Sequence, residues 1–150
     1  MPITAPYGSW KSPITTDLIV SGSIGLGQVA LDGEDIYWVE MRPSEGGRMV
    51  LVKHDPEGET VDVTPEPYSV RTRVHEYGGG AFLVHEEVVY FSNYSDQRIY
   101  RQENGGEPQA ITPDVEMRYA DGCFDPARNR IICVRENHTG EGEPVNCIVA

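Results

Sequence analysis

The sequence predicts an all-β fold made of about three blades of four-stranded antiparallel sheet from an incomplete β-propeller. Three observations lead to this prediction. Short runs of apolar and polar residues are bounded by Gly, Pro, Asn or Asp, which is typical of strands. The runs recur in groups of four at a spacing of about 40–50 residues, which is typical of propeller blades. Past residue 27 the chain has no convincing helical pattern.

The first group of runs follows a lead-in segment, residues 1–26. It consists of "GQVAL", "DIYWVEM", "RMVLVKH" and "TVDVT", and it predicts a first blade at about 27–65. The second group consists of "AFLVH", "VVYFSN", "RIYRQ" and "PQAIT" and predicts a blade at about 80–113. The third group, at about 119–150, offers only "YADGCFD", "RIICVRE" and "NCIVA", so we predict that this last blade is incomplete.

Internal repetition supports blades over a β-sandwich, which is the alternative fold. The stretch "DVTP" at Asp62 recurs as "AITP" at Ala110, and "IYW" at Ile36 matches "VYF" at Val89 and "IIC" at Ile131. The strands of a sandwich need not recur in groups of four. Because a closed propeller typically needs about four to eight blades, we expect this chain to be the front of a longer protein.

Composition and short motifs exclude several functions. The net charge of −12 argues against nucleic acid or an anionic membrane as a partner. The sequence contains neither a secretory signal pattern nor a membrane-spanning apolar run, so we expect a cytoplasmic protein with reduced cysteines. "GLGQVA" fits a dinucleotide fingerprint, but a turn and a strand follow it where a helix is required. "HEYGG" and "HEEVV" lack the second histidine of a zinc motif. We therefore predict no cofactor and no metal site.

Five stretches in order carry a family resemblance: "TAPYGSWKSPIT", "VSGSIGLGQVALDGEDIYWVEMRPSEGGRMVLV", "VRTRVHEYGGGAF", "VVYFSNYSDQRIYRQ" and "RYADGCFDPARNRIICVRENH". Together they resemble the N-terminal propeller of serine peptidases of the prolyl oligopeptidase family, in the acylaminoacyl-peptidase or dipeptidyl aminopeptidase branch. The resemblance covers essentially the whole chain. It implies a propeller of roughly seven or eight blades followed by an α/β-hydrolase domain with a Ser-Asp-His triad. It also implies that the propeller restricts entry to short or unfolded peptides.

The catalytic residues of that family have no counterpart here. The nucleophile elbow requires G-x-S-x-G, and the sequence has no such pentapeptide. We therefore predict that the catalytic α/β-hydrolase domain is absent from these residues, that no residue here is catalytic, and that the chain alone is inactive.

The stretch "VRTRVHEYGGGAF" is the candidate functional segment, because it lies where the first blade crosses to the second, at residues 65–80. Strand-like alternation would place Arg71, Arg73, His75 and Tyr77 on one side, and Val70, Thr72, Val74 and Glu76 on the other. One interpretation is structural: the arginines pair with acidic residues and the glycines shape a turn. The other is functional: the loop lines the mouth of the channel. There Arg71 or Arg73 would hold a substrate carboxylate or an acidic side chain of the hydrolase domain, and Glu76 a substrate amine.

These considerations give two hypotheses of function. In the first, the chain gates and selects peptide substrates for a hydrolase domain, and the candidate substrate-binding residues are Arg71, Arg73, His75, Glu76 and Tyr77. Its partners are then the C-terminal hydrolase domain and short peptides. In the second, the chain is a stand-alone propeller-type module that binds a protein or peptide without catalysis. The functional interpretation also predicts that Arg73 and His75 are partly exposed and that Tyr77 packs over the glycines at the start of the innermost strand.

Overall fold

The computed structural model describes residues 4–9, 11–20, 22–103 and 105–150. The lead-in contains a five-residue helix, α1 (Thr16–Val20). Eleven strands follow: β1 (Gly25–Asp32), β2 (Asp35–Arg42), β3 (Arg48–His54), β4 (Thr60–Asp62), β5 (Phe82–His85), β6 (Val88–Ser92), β7 (Ile99–Glu103), β8 (Gln109–Ala110), β9 (Met117–Asp125), β10 (Arg130–Asn137) and β11 (Val145–Val149). A 3-10 turn at Pro43–Glu45 joins β2 to β3.

The strands form three separate antiparallel sheets. The first sheet has the order β1-β2-β3-β4, the second β5-β6-β7-β8, and the third β9-β10-β11. The prediction of an incomplete propeller with a three-stranded last blade is confirmed. We call these sheets blades one, two and three. None of the helices among the described residues is long and apolar enough to cross a membrane.

Alternation along the strands gives each blade an apolar face that packs on its neighbour. Between blades one and two, the core consists of buried residues on β2, β3, β5, β6 and the segment between the blades: Tyr37, Val39, Leu51, Val70, Phe82, Val89 and Phe91. A smaller core between blades two and three contains Ile99, Tyr119 and Cys133. Each fully buried side chain of this size contributes about 1.5–3 kcal/mol, so these cores hold the blades together.

The first strands of the three blades lie side by side, as expected for the inner strands of a propeller. β1 contacts β5, and β5 contacts β9. The Gln28 side chain on β1 donates to the carbonyl oxygen of Phe82 (2.7 Å) and accepts from the N–H of Ala81 (2.8 Å). At Gly122 on β9, a Cβ atom would lie 2.6 Å from Leu83 Cδ2. Glycine there allows β9 to approach β5 closely.

Candidate functional site

The segment between blades one and two, residues 63–81, contains a turn closed by the N–H of Tyr68 and the carbonyl oxygen of Pro65 (3.0 Å), and then an extended stretch held by both blades. We call it the crossing segment. The N–H of Val70 donates to the carbonyl oxygen of Met49 on β3 (2.8 Å), and the N–H of Arg71 donates to that of Ser92 on β6 (3.0 Å). Val70, Thr72 and Val74 are buried, whereas Arg71 and Arg73 are exposed. The predicted alternation is therefore present over residues 70–74.

The alternation ends at His75. His75 and Glu76 adopt φ angles of 55° and 62°, in the left-handed region. The N–H of Gly78 donates to the carbonyl oxygen of Val74 (2.9 Å), which closes a turn. Because of this turn, Glu76 is not on the buried side of the segment, and 76% of its side chain is exposed.

The turn also overturns the expected position of Tyr77. This residue is 97% exposed, so the prediction that it packs over the glycines at the start of the inner strand is wrong. His75 and Arg73 are exposed, as expected. The loop thus presents His75, Glu76 and Tyr77 to solvent.

The glycines that follow let the loop lie against blade three. The N–H of Gly80 donates to Asp121 Oδ1 (2.7 Å), and the carbonyl oxygen of Gly80 accepts from the N–H of Asp121 (2.8 Å). A Cβ atom at Gly79 would lie 3.0 Å from Ala120 Cβ and 3.0 Å from Asp121 Oδ2. A larger residue at position 79 would therefore push the loop away from β9.

A buried carboxylate in blade three fixes the loop. The Glu136 side chain on β10 is only 5% exposed. Its Oε1 accepts the N–H of His75 (3.1 Å), and its Oε2 lies 2.7 Å from His138 Nε2. Arg118 on β9 stands opposite Glu136, with Nη1 at 3.5 Å from Glu136 Oε2. The same nitrogen donates to the carbonyl oxygen of Arg73 (2.8 Å) and to Glu76 Oε1 (2.7 Å). We call Arg118, Glu136 and His138 the blade-three anchor.

The charges of this anchor shift the pKa values of two carboxyl groups. Burial raises the pKa of Glu136, but hydrogen bonds from His138 and from the His75 N–H, with the electrostatic influence of His138 and Arg118, bring it below its usual value. The hydrogen bond and charge of Arg118 likewise lower the pKa of Glu76. Both groups are therefore stabilised as carboxylates. No residue of the anchor was among the candidates, since these side chains are distant in sequence. The only sequence signal for them is the opposite charge of Arg118 and Glu136 on neighbouring strands.

A second arrangement on the crossing segment involves Arg71 and Arg73. The guanidinium carbons of these residues lie 4.9 Å and 5.3 Å from the ring centroid of Tyr94. Within the part of the chain that the structure describes, neither guanidinium forms an ion pair with a carboxylate. The interpretation of these arginines as ion-pair partners of acidic residues thus finds no support in the described residues. Tyr94 was not among the candidates, because its contact with the two arginines joins segments that are distant in sequence.

Two further observations concern metal binding and the cysteine thiols. Among the described residues, no group of three or more His, Cys, Asp or Glu is arranged to hold a metal ion. Cys123, Cys133 and Cys147 are free, and burial raises the pKa of the Cys133 thiol.

Comparisons with known proteins find similar solved structures. No protein-family model matches the chain, and no curated protein matches it. The chain is 34% identical to puromycin hydrolase over 97% of its length, with a TM-score of 0.83. A puromycin-hydrolysing peptidase of Mycobacterium tuberculosis is also 34% identical, over 98% of this chain, with a TM-score of 0.81. A variant of puromycin hydrolase in complex with PGG gives a TM-score of 0.84 at 34% identity over 97% of this chain. In each case this chain spans only 24% of the other protein.

Proposed function

Because this chain corresponds to the N-terminal β-propeller region of serine peptidases of the prolyl oligopeptidase family, we propose that it gates and selects peptides for a hydrolase domain outside residues 1–150. Such a domain follows the propeller in the family, and the chain spans about a quarter of the peptidases that it matches. The acylaminoacyl-peptidase or dipeptidyl aminopeptidase branch is part of the proposal. So is a reducing, cytoplasmic location, in keeping with three free cysteines.

The observation that carries the proposal is the position of the loop at residues 71–77, together with the hydrogen bonds that hold its backbone. The loop leads into β5, an inner strand, and inner strands surround the central channel of a propeller. Its backbone is held by Arg118 and Glu136, while Arg71, Arg73, His75, Glu76 and Tyr77 all remain exposed. A fixed backbone with exposed charged and aromatic side chains can select peptides at a channel rim without paying a large ordering cost.

The experiment uses the full-length protein that contains these residues. Peptides of increasing length carry a fluorogenic leaving group, and a fluorophosphonate probe labels the reactive serine. We expect short peptides to be hydrolysed, long folded ones to be excluded, and the labelled serine to lie outside residues 1–150. The non-catalytic module predicts peptide binding without hydrolysis. Cleavage that is independent of peptide length and folding would contradict gating.

A matched pair of variants tests the loop itself. Arg118→Met removes the donor to the Arg73 carbonyl and to Glu76, so the loop should loosen and KM for short peptides should rise. Arg130→Met is the control, because Arg130 forms its ion pair with Asp125 at the β9–β10 hairpin. An equal change of KM in both variants would show that the loop has no special role in selection.

A further inference from the structure

We propose that Arg71 and Arg73, placed over the ring of Tyr94, form a binding site for a carboxylate of the bound peptide. The inference rests on the proposed function, since it names the chemical group that the loop recognises. We call the three side chains the arginine pair and its tyrosine. The carboxylate has two possible sources in a peptide, the C-terminus and an acidic side chain, and both present the same planar pair of oxygens.

The first argument is the lack of a competing partner. In the described residues, the guanidinium groups of Arg42, Arg48, Arg101, Arg118, Arg128 and Arg130 all pair with a carboxylate. Arg98 and Arg135 also lack a carboxylate partner, but their guanidinium groups donate to the carbonyl oxygen of Thr112 and to Cys147 Sγ. Among the described residues, the guanidinium groups of Arg71 and Arg73 have no hydrogen-bond acceptor at all, although the chain holds 24 acidic residues. The N–H donors of these two arginines are therefore available to a ligand. Guanidinium donors match the geometry of a carboxylate and form charge-assisted, often bidentate, hydrogen bonds with it.

The second argument is that the pair is already positioned. The N–H of Arg71 donates to the carbonyl oxygen of Ser92, and the N–H of Arg73 donates to Gln97 Oε1 (2.7 Å). The backbone that carries the shared ring is held as well, since the N–H of Tyr94 donates to the carbonyl oxygen of Ser69 (2.8 Å) and its own carbonyl accepts from Gln97 Nε2 (2.8 Å). Both arginines are thus restrained at the backbone and by cation–π contact, which reduces the entropy that a ligand must remove.

The third argument is the positive charge at this place. Both guanidinium groups contact the same ring, and both arginines are exposed. Because no carboxylate of the described residues pairs with either group, a ligand carboxylate would supply the negative charge that is missing there.

The fourth argument is the space beside the pair. Arg73 borders a surface depression whose lining includes Arg118 and His138 and also the acidic residues Asp96, Asp114 and Glu116. Arg71 borders a second depression with Tyr77, Gly78 and Gly79. Each arginine therefore borders a depression that can hold part of a peptide chain.

The test measures peptide binding to the full-length protein by isothermal titration calorimetry. The ligands are tripeptides with N-methylated amide bonds, which prevent hydrolysis, each prepared as the free acid and as the C-terminal amide. A second pair of amidated tripeptides carries a Glu or a Gln side chain. In one of the two pairs, we expect the acidic peptide to bind about ten- to a hundred-fold more tightly than the neutral peptide, which corresponds to one charge-assisted hydrogen bond. The pair that shows the difference identifies the source of the carboxylate.

Four variants assign the preference to these residues. The double variant Arg71→Gln/Arg73→Gln should bind acid and neutral peptides equally. Tyr94→Leu should weaken the preference, and Tyr94→Phe should retain it because the ring remains. The control Arg128→Gln/Arg130→Gln removes the same charge from arginines that pair with Asp125, and it should keep the wild-type preference. If the double variant does not fold, the two Tyr94 variants still decide the question.

The outcomes separate this inference from the proposed function. Equal binding of acid and neutral peptides by the wild type would overturn the carboxylate site and leave gating intact. A preference that survives in the double variant would overturn the assignment to these arginines. Absence of any peptide binding would overturn the carboxylate site, whereas gating is decided separately by the length dependence of cleavage. A further outcome is that the wild type binds acid and neutral peptides equally while the melting temperature falls in the double variant but not in its control. That result would show that the arginine pair binds a carboxylate of the protein itself and not one of a peptide.

Discussion

Replacing Glu136 with glutamine should release the loop at residues 75–78 while leaving the blades folded. The amide has the same shape but no charge. Glu136→Gln therefore converts the hydrogen bond from the His75 N–H (3.1 Å) from charge-assisted to neutral, and it presents an NH2 group to His138 and Arg118, which orient the carboxylate. The conversion costs about 1–1.5 kcal/mol, and the poorer orientation of the acceptor adds to this. We expect the free energy of opening the loop to fall by about 1–2 kcal/mol.

The assay is native-state hydrogen exchange, because the N–H of His75 donates directly to Glu136. A loss of this size corresponds to roughly five- to thirty-fold faster exchange at His75, with a similar change at Gly78. The N–H of Leu51, which donates to Thr64 Oγ1 in blade one, should keep its protection. Glu103→Gln is the control, since Glu103 is an exposed ion-pair partner of Arg101 and its loss should cost about 0–1 kcal/mol. Unchanged exchange at His75, or an equal effect of both variants, would refute the role of Glu136 in fixing the loop.

Three further predictions concern stability. Phe91 is 1% exposed in the core between blades one and two, so Phe91→Ala should lower the free energy of unfolding by about 3–5 kcal/mol in urea titrations; a loss under about 1 kcal/mol would contradict this packing. Gly79→Ala should lower the melting temperature and Gly140→Ala should not, because only the first introduces a Cβ atom 3.0 Å from Ala120. The pKa values of Glu45, Asp62, Asp125 and Glu136 lie below their usual range, the first three chiefly through hydrogen bonds from arginines. Their stabilisation is therefore fully present above about pH 4.5 and lost as pH falls through the lowered values. A melting temperature that stays constant from pH 5 to pH 2.5 would contradict this.

The sequence is sufficient to predict the blades, because alternation and turn residues act locally. It also predicts the exposed arginines, since the period of two continues through residue 74. It fails at His75 and Glu76, whose left-handed conformation no local pattern requires. That conformation is supported by Glu136, which lies 61 positions beyond His75 and reaches it only when blade three packs on blade two. The prediction for Tyr77 is wrong because this turn directs its side chain to solvent.

Gln28 is a second residue whose partner could not be predicted from the sequence. Its stretch "GLGQVA" resembles a nucleotide fingerprint, yet it lies within β1, and strand β2 follows where a helix would be required. In the structure, the Gln28 amide satisfies the backbone of Ala81 and Phe82, at the start of the next inner strand. Periodicity could place Gln28 on a strand, but the identity of its partner depends on how two blades are arranged. Tyr94 was missed for the same reason, because its contact with Arg71 and Arg73 joins two segments of distant sequence.

The loop and blade three depend on each other energetically, although the loop connects blades one and two. Two non-glycine residues in the left-handed region cost of order 1–3 kcal/mol each. His75 and Glu76 both adopt this conformation. In it, the N–H of His75 donates to Glu136, and the carboxylate of Glu76 accepts from Arg118. These contacts have to offset the strain, and without them the extended alternation of residues 70–74 could continue and turn Tyr77 to the other side. The exposure of Tyr77 is therefore a property of the packed blades. Any change that separates blade three from blade two should alter the side chains that the loop presents, even with every residue of the loop intact.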